Sequence, residues 1–333
     1  MGSSEHEPVP LDAAAAEAPV LGRPDARTDS VPCNLCGADD PEVLFEAGVA
    51  QEGRVVRCRG CGLMYVSPRR RVELADYRER GEGEDAGWPL SPSSLERQRN
   101  QVRDYRHSVR AVAEAYPGGR VLEVGCCTGA VLAELKRLGM RCIGLEPNGW
   151  ACRYAREEYG LEVAPMTLEE AAFPDDHFDA VLMLHVIEHL TDPMATLREI
   201  RRVLKPGGTL VVETPRYDTW SFELMGRRER NVVDDWHLYF YTTETLRRTL
   251  EKAGFRVVEK RVPSRTVVPS RLIGAVAKAF RLRFLDRMAH GLARTRVNSW
   301  LAFPLNIGDL LRYHAVAEKG GGTAKPGERE AVA

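Results

Sequence analysis

Short apolar runs alternate with segments of helical periodicity from Arg120 onwards, and this alternation limits the fold more than any other feature of the chain. The runs with strand character are Val121–Val124, Arg141–Leu145, Phe178–His185, Thr209–Glu213 and Phe255–Val262. The helical segments between them are Ala130–Leu138, Gly149–Tyr159, Pro193–Val203 and Thr243–Ala253. This order is typical of a mostly parallel sheet with helices on both faces. The sequence therefore predicts a doubly wound α/β domain over residues 118–319.

A loop that begins with Gly125 and ends with Gly129 follows the first of these strands. Ligands of such sheets bind beyond the carboxyl ends of the strands, and glycines let backbone amides approach a ligand closely. Glu123 precedes the loop, and Glu146 ends the second strand, where an acid can accept hydrogen bonds from both hydroxyls of a ribose. The spacing differs from the G-x-G-x-x-G of dinucleotide-binding enzymes. The pattern predicts a loop that holds a cofactor with a ribose.

Two C-x-x-C pairs lie in the N-terminal part of the chain, within a module predicted over residues 30–70. Their cysteines are Cys33, Cys36, Cys58 and Cys61. Two such pairs can supply four thiolates to one tetrahedral zinc ion. The segment between them is short for a hydrophobic core, so a structural metal would stabilise it. Reduced thiols without a metal are the alternative, and a redox pair is disfavoured because neither pair lies in a βαβ context.

The remaining segments limit the surroundings of these two modules. The formal net charge of −1 provides no global field that would draw the chain to nucleic acid. The chain has no uninterrupted apolar run of about 18 residues, and its N-terminal segment is not expected to act as a secretory signal. Residues 1–29 and 320–333 are predicted to be disordered tails. We expect a cytoplasmic protein, in which eight cysteines serve metal binding or packing before disulfides.

Residues 71–117 are predicted to form a charged, mostly helical linker between the two modules. Ser91–Ser94 suits the start of a helix that continues over Leu95–Tyr116. Tyr77 and Tyr105 lie in this linker and are candidates for a lid over the cofactor.

Several motifs, in order, resemble those of class I S-adenosylmethionine-dependent methyltransferases. These are VLEVGCCTG, GLEPN, FPDDHFDAVLMLHVIEHLTDP, LREIRRVLKPGGTLVVETP and WHLYFYTTETLRRTLEKAGFRVVE. The resemblance covers residues 120–262 and a last strand near Leu310–Glu318, and it implies a seven-stranded Rossmann-like sheet and S-adenosylmethionine as cofactor. The fusion to a four-cysteine module is similar to bacterial methyltransferases of sugar, surface-glycan and natural-product pathways. It implies a small-molecule acceptor, methylated on a hydroxyl.

The same resemblance assigns residues to the parts of the cofactor. The positions implied are Glu123, Gly125, Cys127, Gly129, Glu146, Pro147, Asn148, Thr167, Leu168, Leu184 and His185. Glu146 would take the ribose, Glu123 would orient the loop and the cofactor amine, and His185 would end the fourth strand beside the sulfonium. Cys127 stands where the family usually has glycine, and cysteine is small enough for the loop to retain its function. Cys126 and Cys127 are accordingly interpreted as packing residues.

The segment HVIEHL places His185, Glu188 and His189 at the end of the fourth strand. It resembles the E-x-x-E-H of ubiquinone-biosynthesis O-methyltransferases, whose acids and histidine bind a divalent cation. His185 replaces the first acid, and magnesium prefers oxygen ligands. Three roles stay open for these residues, namely a general base or orienting pair, a divalent cation site, and structural bracing of the next turn. A zinc protease is disfavoured because the H-x-x-E-H motif requires a helix.

His237 is a second candidate base, in the segment DDWHLYFY. Asp234 and Asp235 precede it and could orient the imidazole, whose pKa lies near working pH. Tyr239 and Tyr241 follow and could form a wall for the acceptor. A surface loop beside a packed aromatic strand explains the same residues.

Two other functions are compatible with parts of the sequence. A methyltransferase acting on RNA would use the basic residues Arg54, Arg57, Arg59 and Arg69–Arg71. The near-zero net charge disfavours it, as does the absence of an N/D-P-P-Y sequence after the fourth strand. A non-catalytic binding module would use the fold as a scaffold, and the presence of both Glu123 and Glu146 disfavours that.

The segment Arg271–Arg296 is basic and amphipathic, within an insertion predicted over residues 265–300. Its apolar residues recur every four positions, which predicts either two short helices broken near Gly291 or one helix that wraps around its neighbour. One interpretation is that the apolar stripe covers the active site or a partner in a homodimer. The other is an interfacial helix that holds the protein peripherally on a membrane with anionic lipid.

Overall fold

The computed structural model describes residues 28–50, 53–70, 74–78, 92–226, 232, 236–263, 265–267, 270, 273, 283–293, 303–305 and 308–319. The strands are β1 Thr28–Asp29, β2 Pro41–Ala50, β3 Gly53–Cys58, β4 Met64–Val66, β5 Arg69–Arg70, β6 Arg120–Val124, β7 Arg141–Leu145, β8 Glu162–Ala164, β9 Phe178–Leu184, β10 Leu204–Pro215, β11 Tyr239–Phe240, β12 Phe255–Arg261, β13 Arg265–Val267, β14 Phe303–Leu305 and β15 Leu310–Ala317. The helices are α1 Leu74–Arg78, α2 Pro92–Ala115, α3 Ala130–Arg137, α4 Gly149–Tyr159, α5 Leu168–Ala171, α6 Pro193–Val203, α7 Trp220–Met225, α8 Thr243–Lys252 and α9 Arg283–Ala293. A 3-10 turn spans Ile187–His189.

The central sheet has seven strands in the order β12-β15-β10-β9-β6-β7-β8. The pairs from β10 to β8 are parallel, and β15 runs antiparallel between β10 and β12. Strand β9 lies at the centre, and its residues from Ala180 to Met183 are fully buried. The predicted doubly wound, mostly parallel sheet of seven strands is confirmed. Its topology brings the ends of β6, β7, β9 and β10 to one edge.

Local signals fix the helices around the sheet. The Asn148 side chain accepts a hydrogen bond from the Ala151 amide and so caps α4. Asp192 caps α6, which has proline at its start. The predicted fifth strand begins earlier than expected, at Leu204, because the KPGG segment forms an irregularity within β10 rather than a loop before it. This irregularity lies at the end of the strand opposite to the loops that carry the candidate site.

The four-cysteine module forms a second sheet, in the order β11-β4-β3-β2. Strand β11 comes from the region after β10, so the α/β domain contributes one strand to the sheet of the module. Buried residues of the module, including Cys33, Leu63 and Tyr65, share one continuous core with residues of the central sheet. The module is therefore packed into the α/β domain.

The basic segment 271–296 is described at residue 273 and over 283–293. Helix α9 runs without interruption through Gly291, so the predicted break near that residue is wrong. Strands β13 and β14 pair with each other on either side of the segment. In the described part of the chain, no helix is both long and apolar enough to span a bilayer.

Candidate active site

The loop after β6 has three residues with left-handed backbone conformation. The φ angles are 70° at Gly125, 50° at Cys127 and 78° at Gly129. A Cβ atom at Gly125 would lie 2.4 Å from a methyl carbon of Val186, and one at Gly129 would lie 2.5 Å from a methyl carbon of Leu161. Both glycines are required by conformation and by space, whereas cysteine at position 127 must accept a conformation that costs an L-residue about 1–2 kcal/mol.

Glu146 connects this loop to the end of β7. Its carboxylate accepts hydrogen bonds from the amides of Cys127 and Asn148, both at 2.9 Å. The hydroxyl of Tyr77 in α1 donates a third. Burial raises the pKa of Glu146, and these three hydrogen bonds oppose that effect. The residue predicted to hold the ribose therefore also holds the glycine loop in place.

Helix α1 lies against the same edge of the sheet. The side-chain amide of Asn148 donates to the Tyr77 carbonyl at 2.9 Å, and Arg78 forms an ion pair with Glu170 at 2.5 Å. Thr167, predicted near the adenine, accepts a hydrogen bond from the Glu170 amide and caps α5. Tyr77 thus lies where the sequence places the nucleoside.

Glu123 is buried under the glycine loop. Burial raises its pKa to about 8, against the lowering effect of a hydrogen bond from the Leu132 amide. Its Oε2 atom has no hydrogen-bond partner among the described residues. A buried carboxyl oxygen without a partner is costly and suits a ligand that brings a donor, such as an amine. This oxygen and the glycine loop fit the amino-acid end of S-adenosylmethionine.

His185 ends β9 with a φ of 57° and lies between two buried carboxylates. Its Nδ1 is 3.3 Å from Glu188 Oε1, and its Nε2 is 3.1 Å from Glu213 Oε1. Burial lowers the pKa of His185, but the two carboxylates outweigh it and raise the value to about 9. The Glu213 carboxylate also accepts a hydrogen bond from buried Arg312 at 2.6 Å. His185 is therefore held as a cation near neutral pH and is a poor proton acceptor.

A second cluster lies immediately beyond His185 and joins Glu188, His189 and His237. One ligand atom from each lies within 4.8 Å of the others. Glu188 is fully buried, and its Oε2 has no hydrogen-bond partner among the described residues. His189 Nδ1 is 2.8 Å from the Trp236 carbonyl oxygen, and His237 Nδ1 is 3.2 Å from the Tyr217 hydroxyl. Each imidazole is held through its Nδ1 beside the Glu188 carboxylate. This arrangement suits a general base, and it also suits the ligands of a divalent cation.

The four cysteines of the N-terminal module converge on one point. Cys33 Sγ is 3.4 Å from Cys61 Sγ, Cys36 Sγ is 3.4 Å from Cys58 Sγ, and all four sulfurs lie within 4.8 Å of one another. Each pair ends in a turn in which the amide of the following glycine donates to the backbone carbonyl oxygen of the first cysteine, at 2.7 and 2.9 Å. Four thiols in this arrangement fit a tetrahedral zinc ion. Cys126 and Cys127 lie outside this group.

A family model described as a methyltransferase domain matches residues 95–260. This region is a class I S-adenosylmethionine-dependent methyltransferase domain. The match includes the glycine loop, Glu146 and the His185–His189 segment.

Relatives match the methyltransferase domain rather than the whole chain. A ubiquinone biosynthesis O-methyltransferase of Dinoroseobacter shibae is 32% identical over 158 residues, which are 44% of this chain and 63% of that protein. An uncharacterized protein of Mycobacterium bovis is 37% identical over 155 residues, which are 46% of this chain and 52% of that protein. The chain thus spans between half and two thirds of these relatives.

A complex of the Haloferax volcanii Trm112 methyltransferase activator with a putative methyltransferase is among the similar solved structures. The identity is 23%, the TM-score is 0.48, and the match covers 67% of this chain and 95% of that chain.

The methyltransferase domain brings most of the residues predicted for the cofactor to one edge. Glu146 holds the glycine loop through the Cys127 amide, Glu123 interacts electrostatically with Glu146, and the Leu184–Val186 segment adjoins the loop through Val186. Leu168 is buried, whereas Pro147 is partly exposed beside Asn148.

Some of the roles expected around His237 do not match the structure. Tyr239 and Tyr241 are each 1% exposed, so they belong to the core and do not form an open wall. Asp234 and Asp235, predicted to orient His237, lie outside the described residues. The group that holds the His237 ring is the hydroxyl of Tyr217.

Three further residues of the site escaped the sequence analysis. Glu213, itself paired with Arg312, keeps His185 protonated together with Glu188, and Gln98 accepts a hydrogen bond from Thr128 in the glycine loop. The signal for Glu213 was an acid at the end of an apolar strand run, TLVVETP. A buried arginine in the opposite strand, RYHAVA, could have suggested its partner.

Proposed function

We propose that the protein transfers a methyl group from S-adenosylmethionine to a hydroxyl of a small molecule, such as a sugar, a glycan intermediate or a secondary metabolite. The observation that carries the proposal is that the cofactor loop lies close to the cluster of Glu188, His189 and His237. Val186 contacts Gly125 of the cofactor loop, and Glu188 and His189 follow it in the 3-10 turn. A site for the cofactor and a cluster suited to proton removal therefore share one edge of the sheet.

The cofactor, when bound, supplies a methyl group that its sulfonium already activates. The chain must then hold the acceptor oxygen in line with that carbon, at about 3 Å, and accept the hydroxyl proton. As the acceptor oxygen took up this methyl group, the C–S bond of the cofactor would break and its electron pair would go to sulfur. His237 is the base that we propose, and the nearby Glu188 carboxylate stabilises the imidazolium that results. His185, already a cation, orients Glu188.

A divalent cation at Glu188, His189 and His237 is the alternative use of the same cluster. The unpartnered Oε2 of Glu188 supports it. His185 is not part of this ligand set, because both of its nitrogens face carboxylates. The two roles predict different responses to added metal.

Cofactor binding is the first test of the proposal. Glu146→Gln should weaken S-adenosylmethionine binding by about 2–3 kcal/mol, since hydrogen bonds to charged groups contribute about 1.5–3 kcal/mol each. Titration calorimetry measures it, with exposed Glu162→Gln on β8 as the control. Equal affinity of wild type and Glu146→Gln would contradict the assignment of the ribose.

Turnover tests the base. His237→Ala should lower the rate of methyl transfer by roughly 10²–10⁴-fold and leave the cofactor affinity unchanged. The control is His107→Ala, at an exposed position on α2. A screen of nucleotide sugars, glycans and pathway intermediates supplies the acceptor. If the activity depends on added metal and disappears in Glu188→Ala and in His189→Ala, the cluster is a cation site and His237 is not the general base.

Three of the arginines that an RNA-reading module would use are engaged within the protein. Arg57 and Arg59 pair with acids of β2 and the loop before it, and Arg69 donates to the Thr191 carbonyl at 2.8 Å. These contacts support a small-molecule acceptor over a nucleic acid.

Peripheral contact with anionic lipid is the proposal for helix α9. Its described face presents Phe284, 71% exposed, and Met288, 48% exposed, with Arg287 also exposed. An apolar face beside cations suits a cytoplasmic membrane surface, where each cation contributes about 1 kcal/mol. Flotation with anionic vesicles at low salt tests it. A protein that stays unbound there would favour a lid or a dimer contact for the same face.

A further inference from the structure

Strand β11 lies at the edge of the second sheet, and β4 of the four-cysteine module is its neighbour. Tyr239 pairs with Tyr65, and Phe240 pairs with Met64. The sheet order gives β11 no other strand partner among the described residues. A strand of two residues cannot hold its own position, so β11 depends on the order of β4.

The residue before β11 links the module to the candidate base. The Leu238 carbonyl accepts a hydrogen bond from the Val66 amide at 3.0 Å, and the Leu238 amide donates to the Glu188 carbonyl at 2.7 Å. Leu238 is fully buried. The backbone next to His237 is therefore held between the last residue of β4 and the 3-10 turn that carries Glu188.

The order of β4 depends in turn on the cysteine turns. The Cys58 amide donates to the Leu63 carbonyl at 2.9 Å, which closes the second turn directly before β4. Helix α8 holds both turns, because Arg248 donates to the Cys61 carbonyl at 3.2 Å and Lys252 donates to the Leu35 carbonyl. The path from the sulfurs to Leu238 is continuous in hydrogen bonds and short covalent segments.

We propose that the four-cysteine module is a positioning element of the acceptor site, so that zinc bound by its thiolates sets the placement of His237 relative to Glu188. The module shares its core with the α/β domain, but the two turns that hold β4 meet at four sulfurs within 4.8 Å of one another, and four thiolates at this spacing repel one another unless a cation binds them. Loss of the metal releases β4, then Leu238, and then the ring of His237. The inference rests on the proposed function only where it calls this cluster the acceptor site. The mechanical link itself does not depend on catalysis.

Hydrogen exchange of the full chain tests the link. Zinc is removed with a chelator under reducing conditions, and exchange is followed by mass spectrometry over residues 236–241. We expect the Leu238 amide to exchange at least about tenfold faster, while S-adenosylmethionine affinity is retained, because Glu146 and Gln98 hold the glycine loop in place independently of the cysteine turns. Unchanged protection at Leu238 would overturn the proposal. If zinc removal abolishes both the exchange protection of the Leu238 amide and the binding of S-adenosylmethionine, the proposal is also overturned, because zinc would then stabilise the whole fold.

A variant that keeps the cysteines and the zinc distinguishes the proposed link from simple unfolding of the module. Arg248→Leu with Lys252→Leu removes the contacts of α8 with the turns and should keep one zinc per chain while raising exchange at Leu238. Arg247→Leu on the same helix is the matched control, because the ion pairs of Arg247 with described residues are to two exposed acids of α8. Faster exchange in the control and the double variant alike would refute the path.

Ring signals of the histidines report the site itself. In spectra of histidine-labelled protein, zinc removal should shift the His189 and His237 signals and leave that of His107 in place. Unshifted His237 would contradict the positioning role. Failure of the wild type to bind S-adenosylmethionine would refute the proposed function instead, and the exchange and ring measurements would keep their meaning.

Discussion

Glu123→Gln should remove a large part of the dependence of stability on pH. Burial raises the pKa of Glu123 from 4.5 to about 8, so between these values the folded chain holds a proton that the unfolded chain has released. The free energy of unfolding therefore falls as pH rises, and the loss is complete above pH 8. The full difference corresponds to about 5 kcal/mol, of which about 2.5 kcal/mol falls between pH 6 and pH 9.

Glutamine has the shape of the protonated acid and cannot ionise. Urea unfolding at pH 6 and pH 9 should therefore show that wild type loses about 2.5 kcal/mol more than Glu123→Gln over this interval. Glu162→Gln, on an exposed position of β8, should keep the wild-type slope. Parallel pH dependence in wild type and Glu123→Gln would show that this carboxyl is ionised in the folded state, and the argument from burial would fail.

Three further changes test other parts of the structure. Gly129→Ala should cost about 2–4 kcal/mol in urea unfolding, from left-handed strain plus the contact with Leu161, whereas Gly118→Ala, with equal backbone but open space, should cost about 1–2 kcal/mol. Elemental analysis should find one zinc per chain, and Cys58→Ser should lose it; a folded, metal-free wild type would contradict the site. The pKa of His185 is raised to about 9, so its pairing stabilises the fold below about pH 6.5 and is lost as pH rises through 9. His185→Asn should flatten the fall in thermal stability between pH 7 and pH 10, and an unchanged fall would contradict a cationic His185.

The parts of the site that the sequence predicted are those with local signals. The glycine loop, Glu123 and Glu146 each lie at the end of a strand run, and parallel strands bring such ends to one edge. The four cysteines carry their own spacing signal. Local patterns therefore predicted the sheet, the cofactor edge and the thiol cluster.

Features that depend on distant strands escaped the sequence. The charge of His185 depends on Glu188 and on Glu213, and the pairing of β9, β10 and β15 brings Glu213 and its partner Arg312 to this place. The pairing of Tyr65 with Tyr239 joins residues that are far apart in the chain, and nothing in either segment names its partner. For the same reason the aromatic residues after His237 could not be told apart from an exposed wall.

The hydroxyl of Tyr77 on Glu146 has a consequence for affinity. A ribose that reaches Glu146 does not fill an open position but exchanges with a phenol that the chain itself supplies. Two ribose hydroxyls would replace one phenol, so the net gain is about one hydrogen bond to a charged group, roughly 1.5–3 kcal/mol, and a tethered competitor acts at an effective concentration that can reach the millimolar range. Because substrate and product cofactor carry the same ribose, this competition weakens both alike. This competition makes the protein bind its cofactor less tightly and exchange it more rapidly.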